Sequence, residues 1–228
     1  MVATPRSWGK RYNRRHARRQ PDTHVTAATD NASAQRPLPP ITAVILAGGS
    51  ASRMGGIDKA QLPWQGRRFI DHIIERIAPQ STEILINSNR PDSYAGLSHR
   101  IITDPWPESR GPLAGLLAGM EAATTDWVLF VPCDCPQPAT DLAQRLWSAI
   151  DTASMIAHAC VGEDSHYLFC LMHRSLHPAL RDYLQQGGRA AHRWMRMQQS
   201  RRVAFDDKPE AFLNINSPEA FEALRPRA

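Results

Sequence analysis

The sequence predicts an α/β domain with a mostly parallel central sheet and helices on both faces. Three observations carry this. Residues 41–46 and 127–131 are short runs that are apolar at almost every position, as strands covered on both faces are. Strand-like and helix-like stretches alternate along the chain, which is the pattern of crossover connections in a parallel sheet. A glycine-rich stretch, Leu46-Ala47-Gly48-Gly49-Ser50-Ala51-Ser52-Arg53-Met54-Gly55-Gly56-Ile57-Asp58-Lys59, follows the first apolar run directly, and the carboxyl ends of strands are where ligands collect in open α/β sheets.

The elements follow in order. Residues 1–40 carry eight Lys or Arg against Asp22 and Asp30 and close with Pro37, Pro39 and Pro40, which reads as a disordered basic extension. No apolar h-region accompanies it, so a secretory signal is not expected. The other 188 residues hold 19 basic and 20 acidic side chains, so the net charge of +5 belongs to the leader. The body therefore offers no general electrostatic case for nucleic acid. After the first strand and its loop, residues 69–77 repeat apolar side chains at helical spacing, and residues 83–87 form the second strand. Residues 100–103 are a third strand, 113–123 a helix of small residues, and 127–131 a fourth strand.

The second half reads as a helix over 139–150, strands near 154–161 and 167–172 joined by a turn at Gly162-Glu163-Asp164-Ser165, helices near 176–185 and 190–198, and a strand near 202–205. Asn214-Ile215-Asn216 leads into a last helix capped by Ser217 with Pro218 at its first position. One domain over 41–228 accounts for all of this, which suits a chain of 228 residues. No apolar run approaches the roughly 18 residues of a membrane span. Four cysteines, two of them in Cys133-Asp134-Cys135, make neither a disulfide framework nor a paired zinc motif, and a reducing cytoplasm fits them.

The glycine-rich stretch reads as a phosphate cradle, because glycine lets backbone approach phosphate oxygens and Arg53 and Lys59 supply countercharge. It is not a Walker A loop, which needs Gly-Lys followed by Ser or Thr where this chain has Gly56-Ile57-Asp58-Lys59-Ala60. It is not a dinucleotide fingerprint either, since the next strand ends in Asn87 rather than an acid. Asp134 follows an apolar strand, where an unpaired carboxylate would be costly to bury. One such carboxylate beside a phosphate loop suits a hard divalent cation completed by phosphate oxygens and water; an N-cap is the other reading. Asn87 and Asp104 close the second and third strands, so three strand ends present polar groups to one crevice. Turn formation is the alternative for both. His158, Cys160, His166, Cys170 and His173 alternate along strands, which puts most on different sides and argues against a zinc site.

The pattern Leu46-Ala47-Gly48-Gly49, Arg53-Met54-Gly55 and Lys59 resembles the signature loop of the NTP-transferases. Further stretches in the same order, Ile86-Asn87-Ser88-Asn89-Arg90, Ile102-Thr103-Asp104, Gly111-Pro112-Leu113-Ala114-Gly115, Pro132-Cys133-Asp134-Cys135-Pro136 and Asn214-Ile215-Asn216-Ser217-Pro218, are similar to the molybdenum cofactor guanylyltransferase family over about residues 41–224. The resemblance implies a three-layer Rossmann-like nucleotidyltransferase fold, with a nucleotide-binding half at 41–136 and an acceptor-binding half at 137–228. It also implies GTP and molybdenum-molybdopterin as substrates, Mg²⁺ as cofactor, and a monomer making transient contacts with enzymes that insert or receive the cofactor. Leu46, Ala47 and Gly48 would receive the nucleotide, Arg53 and Lys59 its phosphates, Asn87 and Asp104 the guanosine, and Asp134 would hold Mg²⁺ with the GTP. Arg53, Lys59 and Asp134 would be catalytic. Asn214 and Asn216 would meet the pterin-bearing acceptor; Ser217 stands where the family usually has Thr and keeps the hydroxyl. The Ala47-Gly48-Gly49 form leans to GTP, because the sister cytidylyltransferases usually read Ala-Ala-Gly. A related enzyme using CTP or another phosphorylated acceptor is the alternative.

Overall fold

A computed structural model of the chain describes residues 36–48, 58–106 and 111–215. The leader to residue 35, Arg53 with most of the glycine-rich stretch, Asn216 and the helix expected after Ser217 lie outside the described residues.

Strand β1 (Ile41–Leu46) is buried along its whole length, as its run of apolar residues requires. A two-residue hairpin, β2 (Pro63–Trp64) and β3 (Arg67–Arg68), precedes the first helix; Gln65 and Gly66 join it with φ of 48° and 77°. Two residues in the left-handed region match the twist of hairpin strands. Strands this short carry no periodicity, which is why spacing of apolar residues does not reveal them. Helix α1 (Phe69–Ile77) spans the residues expected and buries Phe69, Ile70, Ile73 and Ile77 on one face. The Asp71 carboxylate accepts from the Arg68 backbone N–H at 3.1 Å and from its guanidinium, which holds Asp71 below the usual carboxylate range.

The chain continues through β4 (Glu83–Asn87), β5 (Arg100–Ile102), α2 (Pro112–Ala122), β6 (Trp127–Pro132), α3 (Leu142–Ser148), β7 (Ile156–Val161), β8 (Asp164–His173), α4 (His177–Gln185), α5 (Ala191–Met197) and β9 (Arg201–Ala204). These strands and β1 form one seven-stranded sheet in the order β5-β4-β1-β6-β8-β7-β9. The first four run parallel, β8 is antiparallel to both β6 and β7, and β9 returns parallel to β7. The expected mostly parallel α/β sheet is therefore present, with one antiparallel strand inside it.

Side-chain alternation splits the core in two. Ala43, Ile45, Ile86, Leu129 and Val131 pack with α1 and α3; Val44, Leu46, Leu85, Val128 and Phe130 pack with α2, α4 and α5. A three-layer arrangement follows directly from strands apolar on both faces. Glycine fits α2 closely against the sheet, since a Cβ at Gly119 would lie 2.6 Å from the Phe130 ring. Helix α3 is shorter than the helix expected over 139–150. Buried Gln80 holds its approach, donating to the Ala139 carbonyl at 3.0 Å and accepting from the Ala143 N–H at 2.8 Å. Strand β8 begins earlier than expected, at Asp164, because the β7–β8 hairpin turns at Gly162 (φ 54°) and Glu163. Ahead of β1, Arg36 lies over the Trp147 ring, 3.3 Å from its centroid, and the Trp147 indole donates to the Pro37 carbonyl at 3.0 Å.

Candidate active site

Strand β1 sits between β4 and β6, so the order of strands reverses beside it, and the crevice lies at the carboxyl ends of those strands. Parallel register brings the expected residues together there. Leu46 is level with Asn87 on one side and Pro132 on the other. Past the strand ends, Ala47 N–H donates to the Asn87 carbonyl at 2.8 Å and Cys133 N–H to the Leu46 carbonyl at 3.2 Å. Gly48 begins the glycine-rich stretch under Asn87, where a Cβ would stand 3.1 Å from the Asn87 Oδ1.

The first cluster is a polar network on β4 and the end of β5. Buried Asn87 donates through Nδ2 to Asp104 Oδ1 at 3.0 Å, and Asn89 donates to Asp104 Oδ2 at 2.9 Å. Asn89 also accepts from the Asp104 backbone N–H at 3.0 Å. Both carboxylate oxygens of Asp104 are thus oriented by amides. Gly115 on α2 makes room for this network, because a Cβ there would fall 2.4 Å from the Asn87 Oδ1. Asn89 and Gly115 were not singled out from the sequence as site residues, although both lie in the motifs quoted. Their spacing from Asn87 was legible; the side-chain contact was not.

A second cluster carries opposite charges. Lys59 Nζ lies 3.7 Å from Asp134 Oδ2, with the two side chains 26 and 22 % exposed. Asp134 follows β6, and Lys59 opens a 3-10 turn, Lys59–Gln61, whose N-cap is Asp58. At that exposure the pair gives little stability, so its placement points to a task rather than to holding the fold. Burial, and then the neighbouring Asp134 charge, pushes the thiols of Cys133 and Cys135 far up, so both stay neutral; the Cys135 thiol donates to Asp134 Oδ1 at 3.7 Å. The Asp134 carboxylate fits a hard cation that takes one protein oxygen and completes its shell from phosphates and water.

The third element is the chain near Asn214. The Ile215 N–H donates to the Asp134 carbonyl at 2.9 Å, which brings exposed Asn214 to the same edge as Asp134. Arg53 and Asn216 lie outside the described residues. His158 and His166 of the second half are occupied otherwise. His158 is 3 % exposed and bonded to the hydroxyls of Ser200 at 2.7 Å and Ser165 at 3.3 Å. His166 packs on Phe212, with ring centroids 4.9 Å apart.

Fold and candidate site together point to a nucleotidyltransferase: a strand-end crevice, a glycine-rich stretch after β1, a lysine facing a carboxylate beyond β6, and an amide-held aspartate beyond β5. The comparisons narrow this. Residues 43–203 match the model of the MobA-like NTP transferase domain. A molybdenum cofactor guanylyltransferase of Vibrio campbellii is 41 % identical over 179 residues, covering 77 % of this chain and 90 % of that protein. Its counterpart in Yersinia pseudotuberculosis is 41 % identical over 181 residues, covering 79 % and 92 %. The chain belongs to the MobA-like NTP transferases, within the molybdenum cofactor guanylyltransferase family. Among solved structures, molybdopterin-guanine dinucleotide biosynthesis protein A of Archaeoglobus fulgidus matches with a TM-score of 0.68 over 80 % of this chain and 95 % of that one, at 17 % identity. The 4-diphosphocytidyl-2C-methyl-D-erythritol synthase of Anaerococcus prevotii matches at 0.59 over 81 % and 95 %, at 12 % identity. At such identities these two speak to the shared fold.

Proposed function

We propose that the protein transfers GMP from GTP to the terminal phosphate of molybdenum-molybdopterin, releasing pyrophosphate and forming the guanine dinucleotide cofactor. The observation that carries the reading is the pairing of Lys59 with Asp134 at 3.7 Å, across β1 from the Asn87–Asp104 network, in a chain 41 % identical to guanylyltransferases over most of its length. GTP is favoured over CTP by those relatives, whereas the cytidylyl enzyme shares fold at 12 % identity.

In this reading Leu46, Ala47 and Gly48 receive the nucleotide, and Asn87 and Asp104 take the guanosine. Arg53 and Lys59 hold the phosphates. Asn214 and Asn216 orient the pterin-bearing acceptor. A terminal phosphate oxygen of the acceptor attacks the α-phosphorus; the new P–O bond forms as the bond to the β-phosphate oxygen breaks, and pyrophosphate leaves. The acceptor oxygen is already ionised at neutral pH, so no strong general base is needed. Charge grows on the α-phosphate and the leaving group, and Lys59 sits where a fixed cation lowers that cost. Asp134 would hold Mg²⁺, which supplies further charge neutralisation at the phosphates. The free state of all four cysteines fits action in the cytoplasm.

Transfer from α-labelled GTP and from α-labelled CTP, each with Mg²⁺ and molybdenum cofactor, tests the reading. Labelled pterin dinucleotide and pyrophosphate should form together with GTP and only weakly with CTP. Equal or greater transfer from CTP would overturn the base assignment, and transfer from neither would overturn the acceptor.

A further inference from the structure

Two points of the chain, Ala47 just past β1 and Asp58 just before Lys59, are tied to the end of β4 and the turn that follows it. Ala47 N–H donates to the carbonyl of Asn87, the last residue of β4. At the other point, Asp58 Oδ1 accepts from the Ala60 N–H at 3.1 Å and caps the turn that carries Lys59. Its second oxygen, Oδ2, accepts from the Tyr94 hydroxyl at 2.6 Å. Tyr94 is wholly buried at the end of a 3-10 turn, Pro91–Tyr94, between β4 and β5. Its ring packs in the same core cluster as Ala60, Ile70 and Ile86. The Tyr94 hydroxyl also hydrogen-bonds with the side chain of Ser88, the residue after Asn87. Gln61 Nε2 donates to the Ser93 carbonyl at 3.0 Å, a second tie between the same two turns. Burial and the bond to Asp58 push the phenol far above its ordinary value, so it remains a donor at every working pH.

We propose that Tyr94, acting through Asp58, is a positioning residue that sets Lys59 against the nucleotide phosphates. A lysine is a point charge on a flexible stem, and its use at a transition state depends on where its backbone is fixed. Here that fixing runs from the core, through a buried phenol and a charge-assisted bond, to the residue immediately before Lys59. The inference rests on the GTP reading above and adds to it a residue that touches neither substrate nor metal.

Tyr94→Phe removes one hydroxyl and keeps the ring, so packing is preserved. With the full chain and Mg²⁺, GTP and guanosine are titrated into wild type, Tyr94→Phe, Lys59→Ala and the double variant. Loss of one charge-assisted bond should weaken GTP about tenfold and leave guanosine, which has no phosphate for Lys59 to hold, unchanged. In the Lys59→Ala background the second substitution should cost nothing further. Equal weakening of GTP and guanosine, wild-type GTP affinity in Tyr94→Phe, or a further tenfold loss in the double variant would each overturn the proposal. Asp58→Asn should reproduce the GTP-selective loss with melting behaviour near wild type, and an Asp58→Asn chain with undiminished GTP affinity counts against it equally. Wild type that prefers CTP overturns the base assignment alone, and the same comparison is then read with CTP and cytidine. Wild type that binds neither nucleotide overturns both.

Discussion

The two sides of the sheet solve different problems. On the β5-β4-β1-β6 side, parallel strands are buried on both faces and all their carboxyl ends open on one edge, so Leu46, Asn87, Asp104 and Asp134 converge with little help from side-chain packing. On the β8-β7-β9 side, the hairpin sends neighbouring strands in opposite directions, and polar groups fall within the sheet faces instead of at one end. His158 shows the consequence. It lies buried on β7 beside β9, bonded to Ser200 and Ser165, where it serves the fold. A parallel sheet concentrates chemistry at an edge; an antiparallel one distributes it. Substitutions on the first side should therefore change turnover with the fold intact, and those on the second should change stability first.

The sharpest break of that contrast is Asp134→Ala. It should lower kcat about a thousandfold, the upper range for loss of a group that stabilises transition-state charge, while thermal unfolding stays near wild type. A fold that collapses with the activity would mean that this edge is structural after all. Lys59→Ala should cost about a hundredfold in kcat, measured with saturating GTP. Gly115→Ala comes next. A Cβ 2.4 Å from the Asn87 Oδ1 must displace that side chain, and guanosine affinity should fall about tenfold, checked by calorimetric titration.

The smallest effect lies on the other side. Burial, then the Arg202 charge, then His166 push His158 down to about 4 from its ordinary 6.5. The folded state therefore resists a proton that the unfolded chain accepts, so stability is full above pH 6.5 and declines as pH falls toward 4. The decline should be about 1 kcal/mol between pH 6 and pH 5, followed by urea denaturation, and His158→Asn should flatten it. His166, also lowered by burial, adds in the same direction. Carboxylates held low by arginines, such as Asp71 and Asp207, lose their contribution only at still lower pH, so the window reports histidine.

Helix α1 and strands β1, β4 and β6 were legible because local pattern and tertiary burial agree: apolar runs without interruption mean two covered faces, and apolar residues three and four apart mean one. The β2–β3 hairpin was not, being too short for any period. For the candidate site, Lys59 could be named from its place in the glycine-rich stretch, and Asn87, Asp104 and Asp134 from residue type and position at or after strand ends. Asn89 could not, because only the meeting of its amide with Asp104 gives it a task. Tyr94 was less legible still. A tyrosine 36 positions from Asp58 carries no local signal of their hydrogen bond.

By itself the sequence determined the class of sheet, the edge where the candidate site lies and the residue types proposed to line it, since strand hydrophobicity and glycine-rich turns are properties of short segments. Tertiary structure alone decided the partners: the place of β8 between β6 and β7, the 3.7 Å approach of Lys59 to Asp134, the amide cradle of Asp104 and the phenol behind Asp58. Each joins segments remote in the chain. Such contacts are set by strand order and by how closely α2 and the β4–β5 connection pack on the sheet, and no local pattern of apolar and polar residues encodes those distances.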